Sequence, residues 1–213
     1  MGGTFNPIHY GHLVTAQEAL DQFNLERVIF IPTGEPPHKI SDRIAPPNSR
    51  YIMAVIATAS NPRFFVSRFE IERTGKSYTI DTLRELKSSY GNDIQLYFIT
   101  GADAILEILT WKDTEEILTL CKFIAATRPG YDLSRLEDLK NKLLKATLNS
   151  GGLKGRDRTD IIDQITDTVM VMEVPALAIS STDIRNRIRK QRTIEYLLPE
   201  GVANYILKHG LYQ

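Results

Sequence analysis

Two histidines, His9 and His12, stand three residues apart in the opening stretch MGGTFNPIHYGHL, with Gly11 between them. Imidazoles in that setting can hold a metal, move a proton or donate hydrogen bonds to an anion. Zinc fits poorly, because the helical metal pair uses i and i+4 with an intervening Glu, and only His38 and His209 remain as further imidazoles. An anion suits the surroundings better. Gly2 and Gly3 let backbone approach a ligand, Pro7 stiffens the turn, and Gly11 gives the following helix a start with little bulk.

A second candidate lies far along the chain, in ISSTDIRNRIRKQR (179–192). Serines and a threonine before a helix are ordinarily caps, and Arg187, Arg189, Lys190 and Arg192 read as a solvated face. Arg185 differs. It follows Thr182 by three residues, one turn into the predicted helix, where its guanidinium reaches an anion drawn to the helix N-terminus. A third stretch, RTGKSYT (73–79), imitates the end of a P-loop, but the position five residues before Gly75 holds Glu70, whose carboxylate would repel phosphate.

These groups need a frame. Short apolar runs recur at RVIFIP (27–32), FFVSRFE (64–70), IQLYFIT (94–100), KFIAAT (122–127) and VMVMEV (169–174), and suit strands of a buried parallel sheet. Helical spacing fills the gaps: Leu13, Ala16, Leu20 and Phe23 over 11–23, and Ile80, Leu83, Leu86 and Tyr90 over 78–90. Ser134 with Glu137 is a capping-box signal for a helix carrying Leu136, Leu139 and Leu143. Pro199 and Gly210 bracket a last helix. The alternation predicts an α/β fold with helices on both faces of the sheet. The proline clusters at 36–39 and 45–48 read as ends of a loop, and NSGGLKGRDRTD (149–160) as an exposed, mobile connection.

A glycine-rich loop leading into a helix normally follows a strand. Here Met1 stands where that strand should end, so either the fold lacks a central strand or the sequence begins at an internal methionine; the second reading is preferred. The 213 residues suit one domain, 1–213, with a small helical part at about 180–213. Lys+Arg and Asp+Glu both number 26, so global charge argues for neither nucleic acid nor an anionic membrane as partner. The lone cysteine, Cys121, sits in an apolar context and reads as a buried hydrophobe. Without a signal peptide, a disulfide or an apolar run of spanning length, the chain reads as cytoplasmic. Assembly into a homo-oligomer stays open.

Taken together, GGTFNPIHYGH and ISSTDIR resemble the paired HxGH and SxTxxR signatures of the nucleotidylyltransferase superfamily, at His9–His12 and Ser180–Arg185. TGADAILEILTWKD (100–113) and TRPGYDL (127–133) are similar to marks of its bacterial nicotinate-mononucleotide adenylyltransferase branch. The resemblance covers nearly the whole chain. It departs in the missing first strand and in a longer stretch from about 133 to 168.

The resemblance implies a Rossmann-like three-layer fold with a mainly parallel sheet, and transfer of AMP from ATP to nicotinate mononucleotide with release of pyrophosphate. It assigns His9, His12 and Arg185 to catalysis, with His12 on the α-phosphoryl oxygens. Gly2, Gly3, Thr4 and Phe5 line the nucleotide, Gly101 and Asp103 meet ATP, and Ser180 and Thr182 join Arg185 on the β- and γ-phosphates. Trp111 stacks on the pyridine ring, while Lys39, Thr79 and Arg128 are weaker candidates for the mononucleotide's phosphate and carboxylate. Mg2+ is expected on substrate phosphates and water, without protein ligands. The rivals are a related adenylyltransferase, for nicotinamide mononucleotide or pantetheine phosphate, and a non-catalytic nucleotide-binding protein.

Overall fold

The computed structural model describes residues 1–36, 44–91, 93–149 and 168–213. In chain order the elements are β1 (Gly2–Gly3), α1 (Tyr10–Gln22), β2 (Val28–Pro32), α2 (Pro47–Thr58), β3 (Phe64–Val66), α3 (Phe69–Glu72), α4 (Thr79–Tyr90), β4 (Tyr97–Gly101) and α5 (Ala102–Ile105). A 3-10 turn (Ile108–Thr110), α6 (Thr114–Leu120), β5 (Lys122–Thr127), α7 (Ser134–Asn149), β6 (Val169–Glu173), α8 (Ser181–Arg189) and α9 (Glu200–Lys208) complete the order. The chain divides into two compact units, one of Met1–Ser77 with Pro175–Gln213 and the other of Tyr78–Val174.

In the first unit the sheet order is β1-β2-β3, all parallel, with Gly3 opposite Pro32 and Val28 opposite Phe64. A first strand is therefore present in short form, against the expectation that none is on this sequence. Two residues qualify because Ile31 donates to the Met1 carbonyl and Thr33 to that of Gly3, both at 2.9 Å. The core of this unit takes Ile8, Ala16, Leu20, Phe30 and Met53, all at most 1% exposed.

The second unit carries the parallel order β4-β5-β6, with Gly101 opposite Ala126 and Thr127 opposite Glu173. Its core gathers Ile80 and Leu83 from α4, Ile117 from α6, Phe123 from β5 and Leu136, Leu139 and Leu143 from α7. Helical spacing places Ile80, Leu83, Leu136, Leu139 and Leu143 on inward faces, as found. Tyr90, which shares the spacing of Ile80, Leu83 and Leu86, is 47% exposed, because it ends α4 just before Gly91 turns the chain at φ 89.

Three further expectations are corrected. Pro46 and Pro47 do not end a loop that excludes helix; Pro47 opens α2, where a missing N–H costs no hydrogen bond. The run 64–70 is strand only to Val66, since the Ser67 hydroxyl accepts from the Phe69 N–H at 3.1 Å and starts a helical turn. The start of α7 is capped by Asp132 and not by a Ser134–Glu137 box: its carboxylate accepts from the Ser134 N–H at 3.1 Å and hydroxyl at 2.7 Å, which holds Asp132 below the usual carboxylate range. Residues 150–160 of the predicted mobile connection lie outside the described residues, as does Lys39.

Cys121 is 3% exposed, and burial pushes its thiol up to about 12. Among the described residues, no helix is long and apolar enough to cross a membrane.

Candidate active site

In the first unit the loop from Thr4 to Ile8 joins β1 to α1 at the carboxyl end of the strand, the usual ligand side of a parallel sheet. Phe5 takes left-handed backbone (φ 46), and its buried ring packs on Phe30 at 5.9 Å and edge-on to His12 at 5.1 Å. A Cβ on Gly3 would stand 3.1 Å from the Phe5 ring, so glycine lets that ring turn inward. His9 is the N-cap of α1 and is buried. Its ring lies 3.8 Å from that of His12, tilted by 31°. A Cβ on Gly11 would press on the His9 ring at 3.0 Å, which gives the HYGH spacing its packing reason.

The His9 backbone N–H donates to Nδ1 of His12 at 3.2 Å. Nδ1 is thus an acceptor, and the neutral ring carries its proton on Nε2. Burial, followed by the neighbouring His9, lowers the His12 pKa to about 3. With no ligand bound, His12 is therefore neutral near pH 7, a donor through Nε2 and not a fixed cation.

The late signature comes to the same loop. Across more than 170 residues of sequence, the Ser181 hydroxyl donates to the Pro7 carbonyl at 2.9 Å, and Arg185 Nη1 donates to the Asn6 carbonyl at 2.7 Å. Arg185 Nη2 donates to the Thr182 hydroxyl at 3.1 Å, while Ser180 caps α8 by accepting from the Asp183 N–H at 3.1 Å. Burial lowers the Arg185 pKa, although the guanidinium stays charged. Ser180 and Thr182 are exposed, and Arg185 is half-buried. The loop carbonyls thus anchor Ser181 and Arg185, so that the start of α8 and one cation share a neighbourhood with the loop, and it is those donors that suit an anion.

Two residues that hold this loop were missed from sequence. Arg50 on α2 is 1% exposed and spends its guanidinium on three carbonyls at 2.9 Å: Thr4 through Nη1, Gly34 through Nη2 and Ala45 through Nε. Asn6 accepts from the Ala45 N–H at 2.9 Å through Oδ1. The readable signal was Arg50 at helical spacing with Met53, Ala54 and Ala57, an arginine on the buried face of an apolar helix. Gly34 is equally constrained, since a Cβ there would stand 1.9 Å from the Glu70 carbonyl oxygen.

The second unit holds the remaining described candidates, with Gly101, Asp103 and Arg128 at or just past the carboxyl ends of β4 and β5. Gly101 closes β4, and a Cβ there would meet nothing within 4 Å, so the backbone is open to approach. Asp103 is exposed in α5, and its Oδ1 accepts from Arg135 Nη1 at 3.3 Å and from the Tyr131 hydroxyl at 3.5 Å. Arg128 directly follows β5 and is exposed. Trp111 ends the 3-10 turn half-buried, its ring edge-on to Phe98 at 5.7 Å and Phe123 at 6.3 Å. Thr79 is the half-buried first residue of α4.

Comparison with known proteins places this geometry. Residues 1–187 match the cytidylyltransferase-like family. A "probable nicotinate-nucleotide adenylyltransferase" of Moorella thermoacetica is 54% identical over 213 residues, covering 100% of this chain and 90% of the relative. One of the same name from Salinispora arenicola is 49% identical and covers 100% of both chains. Among solved structures, Plasmodium falciparum nicotinic acid mononucleotide adenylyltransferase complexed with NaAD superposes with a TM-score of 0.71 at 19% identity, covering 99% of this chain and 94% of that one. That likeness speaks for the fold, an α/β Rossmann-like arrangement with parallel sheets. The extent and level of sequence identity settle the rest: the chain belongs to the nicotinate-nucleotide adenylyltransferase family, within the cytidylyltransferase-like proteins.

Proposed function

We propose that the protein transfers the adenylyl group of ATP to the phosphate of nicotinate mononucleotide, forming nicotinate adenine dinucleotide and pyrophosphate. The observation that carries this reading is the pair of hydrogen bonds by which Ser181 and Arg185 join the Pro7 and Asn6 carbonyls, drawing both signature segments to one anion-binding neighbourhood. Full-length relatives of the same name support the choice of substrates.

The attacking phosphate has a second pKa of about 6 and is largely ionised at neutral pH, so no general base is required. What the protein must supply is alignment and stabilisation of charge on the α-phosphoryl oxygens during in-line displacement. His12 suits the second task. With Nδ1 occupied by the His9 N–H, its Nε2–H is the donor left for an α-phosphoryl oxygen, and a single such donor is worth about 2.7–4 kcal/mol in a transition state. His9 acts beside it on the phosphates.

Gly2, Gly3, Thr4 and Phe5 offer backbone to the nucleotide, and Ser180, Thr182 and Arg185 hold the β- and γ-phosphates. On the second unit, Gly101 and Asp103 fit nucleotide hydroxyls, Trp111 the pyridine ring, and Thr79 and Arg128 the mononucleotide's anionic groups, with Lys39 assigned there by resemblance alone. Discrimination of acid from amide rests on donors facing a carboxylate. Among the described residues, no group of three His, Cys, Asp or Glu side chains could hold a metal ion, and the donors around the first loop are N–H groups suited to phosphate. Mg2+ would be held mainly by the substrate phosphates, and would there supply charge neutralisation. A cytoplasmic location fits such substrates.

Pyrophosphate release with ATP and a panel of mononucleotides tests the reading. Turnover with nicotinate mononucleotide well above nicotinamide mononucleotide is expected. Turnover with phosphopantetheine alone, or with no acceptor, would replace it with one of the rivals.

A further inference from the structure

The lone tryptophan sits on a turn that is tied to α4 by charged side chains. Trp111 ends the 3-10 turn, Asp113 follows in left-handed backbone (φ 54), and α6 begins at Thr114. An aspartate just before a helix ordinarily turns its carboxylate onto the first free N–H groups of that helix. Asp113 makes no such cap. Its carboxylate accepts instead from Arg84 Nη2 on α4, at 3.4 Å. Arg84 also donates through Nε to Glu116 Oε1 at 2.8 Å, through Nη2 to Glu116 Oε2, and through Nη1 to Asp81, one turn earlier on α4, at 3.5 Å. Within the turn, the Thr114 hydroxyl reaches the carbonyls of Ile108 at 2.7 Å and Trp111 at 2.9 Å.

Lys112 adds a second tie to the same helix. Its Nζ lies 3.8 Å from the Asp81 carboxylate and 4.9 Å from the centre of the Tyr78 ring. Tyr78 stands directly before Thr79, the first residue of α4 and itself a candidate for the mononucleotide. Exposed ion pairs of this kind add little to global stability one by one, and the Arg84 side chain is 46% exposed. Their convergence does more. Asp81, Asp113 and Glu116 meet on one guanidinium, which holds the Glu116 carboxyl below the usual carboxylate range. Without that fork the three carboxylates would repel one another, and the turn carrying Trp111 would lift from α4.

We propose that Arg84 is a positioning residue for the mononucleotide: by gathering Asp113 and Glu116 onto α4, it fixes the turn that carries Trp111 relative to Thr79 at the head of the same helix. This rests on the function proposed above, in that Trp111 meets the pyridine ring.

The test is Arg84→Met, which keeps an unbranched apolar side chain and removes the fork. Trp111 is the chain's only tryptophan, so intrinsic fluorescence reports on it alone. Acrylamide quenching of that fluorescence should rise about twofold as the turn loosens. KM for nicotinate mononucleotide should rise about five- to tenfold, with kcat, KM for ATP and Tm close to wild type. In a Trp111→Ala background the same change should add less than about twofold to that KM, because its effect runs through the tryptophan. Unchanged quenching would overturn the proposal, as would a full KM effect persisting in the Trp111→Ala background. A mononucleotide KM left unchanged by Arg84→Met but raised by Trp111→Ala would overturn it too, and so would a lower Tm with equal rises in both KM values, in favour of packing alone. A Trp111→Ala variant with normal mononucleotide KM would instead overturn the place given to the pyridine ring, from which the proposal starts.

Discussion

The two units hold their candidate groups in opposite ways. Around the first loop, three side chains are tied down: Arg50 by three carbonyls, Arg185 by Asn6 and Thr182, and His12 by the His9 backbone. In the second unit, Asp103 and Arg128 are exposed, Asp103 meeting only surface partners in Arg135 and Tyr131, and Trp111 is steadied by its edge contacts with Phe98 and Phe123. Groups that must meet developing charge have to be fixed beforehand, because reorganisation at the moment of reaction costs rate. Groups that grip a substrate can stay open and be ordered by it. The contrast predicts that substitutions in the first unit damage turnover and folding, and those in the second damage substrate affinity.

The largest effect should come from His12→Ala, which is expected to lower kcat about 100- to 1000-fold with little change in KM for ATP. Steady-state pyrophosphate release measures both, and an unchanged kcat would remove His12 from the chemistry. His12 also makes a pH prediction. Its native pKa, near 3, lies below the unfolded value of 6.5, so the unfolded chain binds the extra proton and stability falls as pH drops from about 6.5 towards 3. The slope approaches about 1.4 kcal/mol per pH unit for this one group. His12→Gln should flatten that part of the Tm–pH profile.

Next comes the loop's clasp. Arg50→Met leaves three carbonyls without their donor and should cost about 3 kcal/mol or more of stability. Gly34→Ala, forced against the Glu70 carbonyl, should cost about 3 kcal/mol. Denaturant melts check both, and a tolerated alanine at 34 would show that the backbone there yields. Trp111→Ala should raise KM for the mononucleotide about tenfold and lose about 2 kcal/mol from its aromatic neighbours. Smallest in stability is Asp103→Ala: Tm should stay at wild type while KM rises a few-fold. A Tm drop there larger than for Arg50→Met would reverse the contrast between the units.

Much of the frame was legible because its signals are local. The five apolar runs each coincide with a strand over most of its length, and the spacing of Ile80, Leu83 and Leu86 gave the buried face of α4. Where tertiary context or a side-chain cap decides, the reading failed. Pro47 looked like a breaker because proline stops a helix anywhere but its first turn. Ser134 looked like a cap because the carboxylate that does the capping sits two residues earlier, at Asp132. His9, His12, Ser180 and Arg185 are candidates that their motifs single out. Arg50 and Asn6 are not, since their partners lie at Thr4, Gly34 and Ala45, and no spacing along the chain announces a bond to a distant carbonyl.

The sealed state of Cys121 has a practical side. With the chain's only sulfhydryl 3% exposed and its pKa near 12, thiol-directed dyes and spin labels should pass native protein by. A cysteine introduced on the tail or in the opening loop would then be the one reporter that responds, without any prior removal of the natural one.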